Sequence, residues 1–274
     1  MQYDLFNQPK YKFFSLGSGS SGNCYFLGSR QYGILIDAGI GVRTIKKYLR
    51  EYGIAFENIV GILITHDHAD HIKTLGALGG KFNIPIFTTQ AIHDGIDRSR
   101  YIDADMSGSR RVIHKEQTFA IKDFQITAFD VPHDSIENLG YRIEFEGQTF
   151  VLITDMGRAT EAIQHNIKLA NHLVIEANYD DEMLRNGRYP EYLKQRIASG
   201  NGHISNRISA DIVSQSCSPN LKNVWLCHLS KDNNTPDIAY STFKEKLQSK
   251  GVRVDEDIKL EVLSRYKASG LREF

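Results

Sequence analysis

The chain of 274 residues has few of the features that mark secreted or membrane proteins. It has only three cysteines, Cys24, Cys217 and Cys227, an odd number at wide spacing, so we expect buried packing residues and no disulfide framework. No apolar run approaches the roughly 18 residues that a membrane helix needs. The first ten residues lack a basic segment followed by an apolar run, so we expect no secretory leader. These absences predict a cytoplasmic protein without a membrane partner.

The chain also lacks an excess of charge, an internal repeat and a long linker. The 33 Lys and Arg residues balance the 33 Asp and Glu residues. This balance neither indicates nor excludes nucleic-acid binding, because a local basic patch can be hidden in a neutral total. Hydrophobic residues make up 41% of the chain, which is enough for a sizeable core. We therefore predict one domain over residues 1–274.

Apolar periodicity predicts alternating strands and helices. Strands are predicted over residues 12–16, 24–27, 33–36, 60–64, 84–88, 124–129, 141–145, 149–153, 172–177 and 224–227. Helices are predicted over residues 42–51, 71–82, 158–169, 191–198, 206–216 and 237–249. Strands with helices on both outer sides indicate a layered α/β sandwich. We place Phe13, Phe14 and Trp225 in its core.

The most informative segment is His66-Asp67-His68-Ala69-Asp70-His71, which follows the predicted strand 60–64. It holds three imidazoles and two carboxylates, the ligands that zinc, manganese and iron(II) take in proteins. Single His or Asp residues also follow other predicted strands: Asp37, His133, Asp155 and His228. Because strand ends gather at one edge of a sheet, the pattern predicts a metal site there.

This series, His66-x-His68-x-Asp70-His71 with the four single residues around it, resembles the motifs of the metallo-β-lactamase superfamily. The resemblance implies a four-layered αββα sandwich and two divalent metal ions, zinc or manganese. It implies that one ion is held by His66, His68 and His133. It implies that the other is held by Asp70, His71 and His228. Asp155 would bridge the two ions, and Asp37 would orient a ligand.

Shorter motifs resemble the YycJ-like (WalJ/VicX-type) subfamily. They are residues 15–23, 175–180 and 188–190, Gly202-His203-Ile204-Ser205-Asn206, and Cys227-His228-Leu229-Ser230-Lys231-Asp232-Asn233-Asn234. This resemblance implies a bacterial cytoplasmic nuclease with 5′-directed exonuclease activity on duplex DNA. DNA is therefore the expected substrate and partner.

The residues around the motifs allow a catalytic hypothesis. Asp70 is a predicted ligand that also orients the attacking hydroxide. His203 is the candidate proton donor to the leaving oxygen, and Glu176 is its candidate partner. Backbone N–H groups of a glycine-serine loop and of a helix N-terminus favour phosphate. Residues at these two positions are candidate substrate contacts: Ser18, Ser20, Asn23, Ser205 and Asn206.

Other interpretations stay open from the sequence alone. Four arginines, Arg98, Arg100, Arg110 and Arg111, form either a basic rim for DNA or an ordinary solvated face. A small-molecule phosphodiesterase, for example one acting on cyclic phosphates, would use the same metals. An oxidoreductase of the persulfide-dioxygenase type would use one iron and leave His71 and His228 idle. A non-catalytic scaffold is the fourth alternative, and the intact ligand set argues against it.

Overall fold

The computed structural model describes residues 11–274 of the chain. Within this range two seven-stranded sheets form, the first in the order β14-β1-β2-β3-β4-β5-β6. Its strands are β1 (Lys12–Gly17), β2 (Cys24–Gly28), β3 (Gly33–Ile36), β4 (Ile59–Leu63), β5 (Ile86–Thr88), β6 (Arg110–Val112) and β14 (Arg272–Glu273). Strands β3 to β6 run parallel to one another, so their carboxyl ends share one edge.

The second sheet has the order β13-β12-β11-β10-β9-β8-β7. Its strands are β7 (Phe119–Ile121), β8 (Phe124–Asp130), β9 (Leu139–Phe145), β10 (Gln148–Ile153), β11 (His172–Glu176), β12 (Asn223–Cys227) and β13 (Lys259–Val262). Strands β7 to β10 form an antiparallel meander, whereas β10 to β13 are parallel. The parallel part again brings several carboxyl ends to one edge.

Eight α-helices connect the strands of the described range. They are α1 (Val42–Glu51), α2 (Ala69–Ile72), α3 (Gln90–Arg98), α4 (Glu161–Leu169), α5 (Asp181–Asn186), α6 (Glu191–Ala198), α7 (Asn206–Ser216) and α8 (Pro236–Ser249). The predicted helix 71–82 is wrong as one element, because α2 is a single turn and a separate π-helical stretch follows over Gly76–Lys81. The apolar periodicity of the sequence did not predict helices α3 and α5.

The core shows directly that the layers are helix, sheet, sheet and helix. Neighbouring residues on a strand point to opposite faces. Phe13 of β1 meets Trp225 of β12 at a ring-centroid distance of 4.5 Å, between the two sheets. Its neighbour Phe14 points the other way and meets Tyr52, which follows α1, also at 4.5 Å. On β12, Leu226 packs with the outer helices while Trp225 packs inward. The predicted αββα sandwich is therefore confirmed.

The cysteine prediction holds for two of three residues. Cys24 and Cys227 are fully buried, and all three thiols are free. Cys217 is only half-buried because it caps the carboxyl end of α7, so the prediction that it is a buried packing residue is wrong. No helix in residues 11–274 is long and apolar enough to cross a membrane.

Candidate metal centre

Loops that follow the strand ends of both sheets meet around the His-rich segment and are joined by backbone hydrogen bonds. Ala38 N–H donates to the His71 carbonyl at 2.7 Å, and Asn23 N–H donates to the Asp70 carbonyl at 2.8 Å. Gly39 allows this close approach, because a Cβ there would lie 1.6 Å from the Asp70 carbonyl oxygen. From the second sheet, Leu139 N–H donates to the Thr65 carbonyl at 2.9 Å.

Three of the predicted site residues have left-handed backbone conformations. Asp37, Asp155 and His228 follow β3, β10 and β12 with φ values of 60°, 53° and 55°. This region is unfavourable for residues with a Cβ and is found disproportionately at functional sites. The tight turn at each strand end directs these side chains into one common space.

The first cluster of ligand atoms contains only imidazoles. His66, His68 and His133 each offer a nitrogen, and these atoms lie within 4.8 Å of one another. The ring centroids of His66 and His68 are 4.6 Å apart, and each lies 5.1 Å from that of His133. Two of the residues come from the loop after β4 and one from the loop after β8. The structure therefore brings together the residues predicted for the first ion.

The second cluster mixes a carboxylate with imidazoles. Ligand atoms of Asp70, His71 and His228 again lie within 4.8 Å of one another. Asp155 lies between the clusters: its Oδ2 is 3.3 Å from His71 Nε2, and its Oδ1 is 3.8 Å from His133 Nε2. A carboxylate that contacts members of both clusters has the position that a bridging ligand requires.

Neighbouring groups hold one ring nitrogen of four imidazoles and leave the other for a different partner. The Nδ1 contacts are His66 to Thr65 Oγ1 at 3.0 Å, His71 to Asp37 Oδ2 at 2.7 Å, His133 to the Gly202 carbonyl at 2.9 Å, and His228 to Glu176 Oε1 at 3.1 Å. This is how metal-ligating histidines are usually oriented. The Nε2 atoms of His66 and His228 are buried without a hydrogen-bond partner in the described range. The donor set therefore fits a divalent metal centre.

The charges of the site favour the same conclusion. Burial lowers the pKa of His66 well below its ordinary value, which keeps the imidazole in the neutral form that binds metals. Burial raises the pKa of Asp155, but His228 and His71 outweigh it and hold that pKa well below its usual range. Burial disfavours protonation of His71, but Asp37 and Asp155 outweigh it and raise the pKa of His71 strongly. A metal ion here would replace a proton as the neutralising charge.

The structure also brings the predicted pair of Glu176 and His203 together. His203 Nδ1 lies 2.7 Å from Glu176 Oε1, and the same oxygen contacts His228. Burial lowers the pKa of His203, but Glu176 and Asp155 outweigh it and raise the pKa above its ordinary value. The imidazolium form, which can donate a proton, is therefore favoured.

Four of the five predicted substrate contacts lie inside the protein with partners of their own. Ser18 Oγ accepts from His228 N–H at 2.9 Å, and Asn23 Nδ2 contacts His71 Nε2 at 2.9 Å. Ser205 caps α7 by accepting from Ile208 N–H, and Asn206 Nδ2 donates to Asn234 Oδ1 at 2.9 Å. All four are at most 1% exposed, so they have no surface for substrate and the prediction is wrong for them. Ser20 is exposed and stays a prediction.

Two of the four arginines that form either a basic rim or a solvated face lie at or just after the end of α3, and the other two lie on β6. Thr89, which caps α3, is on the site side, since its hydroxyl donates to Glu137 in the loop after His133. Gly95 of α3 packs against Asp67 of the His-rich segment, and Arg98 ends the helix three residues later. Arg110 begins β6 and pairs with Asp97.

Three contributors to the site were not predicted as such. Thr65 Oγ1 contacts both Asp37 and His71, although the sequence motif gave it no role. Asp134 Oδ1 lies 3.3 Å from His133 Nε2, and its position next to a predicted ligand was an available signal. The Gly202 carbonyl orients His133 across 69 positions of sequence, and no local pattern indicates such a contact.

The fold and the centre together define a metal-dependent hydrolase of the metallo-β-lactamase fold. Residues 32–217 match the family described as beta-lactamase superfamily domain, and the chain belongs to this superfamily.

Within the superfamily the chain is similar along most of its length to two named relatives. It is 33% identical over 263 residues to the exodeoxyribonuclease WalJ of Streptococcus pneumoniae serotype 2 (strain D39 / NCTC 7466), covering 96% of this chain and 98% of the relative. It is 32% identical over 244 residues to the exodeoxyribonuclease YycJ of Bacillus anthracis, covering 88% and 90%. This likeness confirms the predicted YycJ-like subfamily.

Solved structures show the same fold at lower identity. YhfI from Bacillus subtilis superposes with a TM-score of 0.71 at 18% identity, covering 97% of this chain and 100% of that one. Zn(2+)-bound PqqB from Methylobacterium extorquens gives a TM-score of 0.69 at 16% identity, covering 94% and 99%. The arrangement of both sheets and their helices is thus that of an established fold.

Proposed function

We propose that this protein is a metal-dependent exonuclease that acts on duplex DNA from the 5′ end. The observation that carries the proposal is the link between the second ligand cluster and the proposed proton donor: one oxygen of Glu176 contacts both His228 and His203. The relatives named exodeoxyribonuclease, similar along nearly the whole chain, support DNA as the substrate.

We propose His66, His68 and His133 as the ligands of one divalent cation and Asp70, His71 and His228 as those of the other. Asp155 is the proposed bridge between them. Zinc and manganese both suit this mixture of imidazoles and carboxylates. Two such cations, when bound, lower the pKa of a water molecule and neutralise the charge of the attacked phosphate.

The protein's own groups are proposed to supply the remaining steps. Asp70, at the start of α2, is proposed to accept a hydrogen bond from the attacking hydroxide and so to orient it toward phosphorus. His203 is proposed to donate its proton to the leaving 3′ or 5′ oxygen of the sugar, and Glu176 holds the ring for this transfer. Asp37 holds His71 and Thr65 in place without reaching the substrate.

The proposal is tested by comparing two substrates. Metal-loaded protein is incubated with end-labelled duplex DNA and, separately, with bis-p-nitrophenyl phosphate. We expect mononucleotides to be released from the labelled DNA, with release abolished by a chelator and restored by zinc or manganese. Cleavage of the small phosphodiester without any cleavage of DNA would instead favour a small-molecule phosphodiesterase.

Elemental analysis separates this proposal from the oxidoreductase alternative. A mono-iron enzyme of the persulfide-dioxygenase type would leave His71 and His228 idle. Here both lie in the second cluster with Asp70, which favours two metal ions. We expect two equivalents of zinc or manganese per chain, and a single iron would contradict the proposal. A cytoplasmic location, in keeping with the free thiols, remains part of the proposal.

A further inference from the structure

A pocket of about 210 Å³ opens beside the metal centre on the His203 side. Its walls include Asn178, Tyr189, Leu193, Ile197, His203 and Ser230, and we call it the end pocket. The ring centroid of His203 is 5.2 Å from that of His133, a proposed metal ligand. A group bound in the end pocket is therefore separated from the proposed metals by little more than one side chain.

Helix α6 forms one wall of the end pocket. Leu193 and Ile197 line the pocket from this helix, although none of the eight residues of α6 is fully buried. Arg196 Nε donates to Asp134 Oδ2 at 2.6 Å, which ties the helix to the loop of His133. His203 N–H donates to the Ile197 carbonyl at 2.8 Å, which ties the helix to the predicted proton donor. Helix α6 is thus hydrogen-bonded to two segments that contribute residues to the proposed active site.

The lining of the pocket has two chemical characters. The Tyr189 ring and the Leu193 and Ile197 side chains offer apolar surface of the kind on which a planar base packs. The amide of Asn178 and the hydroxyl of Ser230 offer donors and acceptors for polar edges. The volume is below that of pockets for drug-sized ligands and suits one nucleotide unit rather than a base pair.

The positively charged Arg265 contacts the chain next to two residues of the pocket lining. Arg265 donates to the Leu229 carbonyl and lies against Gly19, where a Cβ would be 3.1 Å from its Nη1. The next residues along the chain, Ser230 and Ser20, both line the pocket. Among residues 11–274 no ion pair joins Arg265 to a carboxylate, whereas Arg196 is paired with Asp134. The guanidinium of Arg265, one nitrogen of which donates to the Leu229 carbonyl, therefore lacks a counter-ion, and a phosphate could supply one.

We propose that the end pocket holds the terminal nucleotide of a nucleic-acid strand, with its base against the Tyr189, Leu193 and Ile197 wall and its phosphate beside Arg265. This inference rests on the proposed nuclease function and extends it. It assigns to the end pocket the selection of a chain end: a strand can place its last nucleotide there, but the interior of a duplex cannot. Hydrolysis would then release one nucleotide at a time.

The test compares two tryptophan variants of one helix. Leu193→Trp fills the pocket, while the control Gln195→Trp adds the same ring at an exposed position of α6 that does not line it. Binding of dAMP, deoxyadenosine and inorganic phosphate to each metal-loaded protein is measured by calorimetry. We expect Leu193→Trp to weaken dAMP binding about tenfold, as for loss of a packed anchor site, and Gln195→Trp to leave it unchanged.

Arg265→Gln provides a second measurement that does not depend on filling the pocket. We expect it to weaken binding of dAMP by about tenfold while binding of deoxyadenosine stays the same, because only the former carries the phosphate. Equal affinity of the unmodified protein for dAMP and inorganic phosphate would overturn the proposal, since the metals alone would then account for binding. Unchanged dAMP affinity in Leu193→Trp would also overturn it.

Activity assays separate this proposal from the proposed function. For Leu193→Trp we expect the ratio of kcat/KM on linear duplex DNA to kcat/KM on bis-p-nitrophenyl phosphate to fall about tenfold relative to Gln195→Trp. A ratio that does not change while the unmodified protein digests DNA would contradict the end pocket alone. Failure of the unmodified protein to digest DNA would contradict the nuclease function, whereas the dAMP measurement would still decide what the pocket binds.

Discussion

Two buried carboxylates, one from each sheet, support the metal centre in different ways. Asp37 follows β3 in the first sheet, and its side-chain partners Thr65 and His71 are both 0% exposed. Glu176 ends β11 in the second sheet and contacts one buried residue, His228, and one that reaches the pocket, His203. The side chain of His203 remains 23% exposed.

The two carboxylates therefore have different roles: Asp37 holds other residues in place, whereas Glu176 also contacts the proposed proton donor. The first sheet supplies a contiguous loop of ligands, in which His66 and His71 are buried while the Asp70 side chain is 24% exposed. The second sheet supplies isolated residues, and one of its carboxylates links a proposed ligand to the proposed proton donor. We therefore expect changes around Asp37 to act on metal affinity and changes around Glu176 to act on both metal binding and proton transfer.

The largest effect is expected in the first ligand cluster, to which both sheets contribute residues. His68→Ala removes an imidazole of the first sheet from the cluster that His133 completes from the second. We expect hydrolysis to fall to the background rate and one metal equivalent to be lost, because two imidazoles and a shared carboxylate hold an ion more weakly than the full ligand set. Circular dichroism should show an unchanged fold, since His68 lies in a loop. Full activity of this variant would contradict the proposed mechanism.

Glu176→Gln is expected to have the next largest effect. The amide keeps the size of the side chain but loses the charge that holds His228 and favours protonated His203. We expect kcat to fall about 10³-fold, from weakened ligand support together with impaired proton transfer. The activity should stay low at saturating metal. Recovery of normal activity on adding metal would show that Glu176 acts only by orienting His228.

His203→Ala isolates the proton-transfer part of that effect. We expect kcat to fall about 10²-fold, with both metal equivalents retained in elemental analysis. The alkaline limb of the pH profile should change too, because the group whose pKa Glu176 raises is gone. Loss of a metal ion in this variant would mean that the roles proposed for His203 and His228 are exchanged.

Asp37→Asn tests the carboxylate of the first sheet in the same way. We expect metal affinity to fall about 10-fold to 100-fold, because the Nδ1 partner of His71 loses its charge. Unlike Glu176→Gln, this variant should regain near-normal kcat at high metal concentration, since Asp37 does not contact His203. Titration with zinc or manganese, followed by activity, measures both quantities. A kcat that stays low at saturating metal would remove the distinction between the two carboxylates.

The same contrast explains which parts of the molecule could be predicted from sequence. The His-rich loop could be predicted because its ligands are close together in the sequence and follow a continuous apolar strand. Helices α1, α6 and α7 were predicted with their observed bounds, because apolar periodicity and stop or cap signals coincide there. The layered sandwich followed from the alternation of strands and helices together with the resemblance of the motifs.

What could not be predicted depends on contacts between distant segments. Ser205 and Asn206 stand at a helix start, where phosphate binding is reasonable, but both are buried, and Asn234 of the loop after β12 takes the Asn206 amide. The end pocket is lined by residues from α6, from the loop after β11 and from the loop after β12, which no local pattern connects.

His172 lies outside the proposed metal centre, so changing it tests whether the effects above are specific to that centre. His172 begins β11, stacks on Phe274 with centroids 4.0 Å apart, and lies 2.8 Å from Asn223 Nδ2 through its Nδ1. Burial, together with Lys222, lowers the pKa of His172 to about 4. Between its ordinary pKa near 6.5 and this value, the unfolded chain binds a proton that the folded chain does not.

The free energy of unfolding should therefore fall as the pH is lowered from about 6.5 to 4, by up to about 3 kcal/mol from this group alone. His172→Gln removes the titrating ring, so we expect its denaturant midpoint to vary less with pH over that window than that of the unmodified protein. Activity at neutral pH should not change, because His172 lies at the opposite end of β11 from Glu176. An identical slope in His172→Gln would show that this imidazole takes up its proton without unfolding the chain.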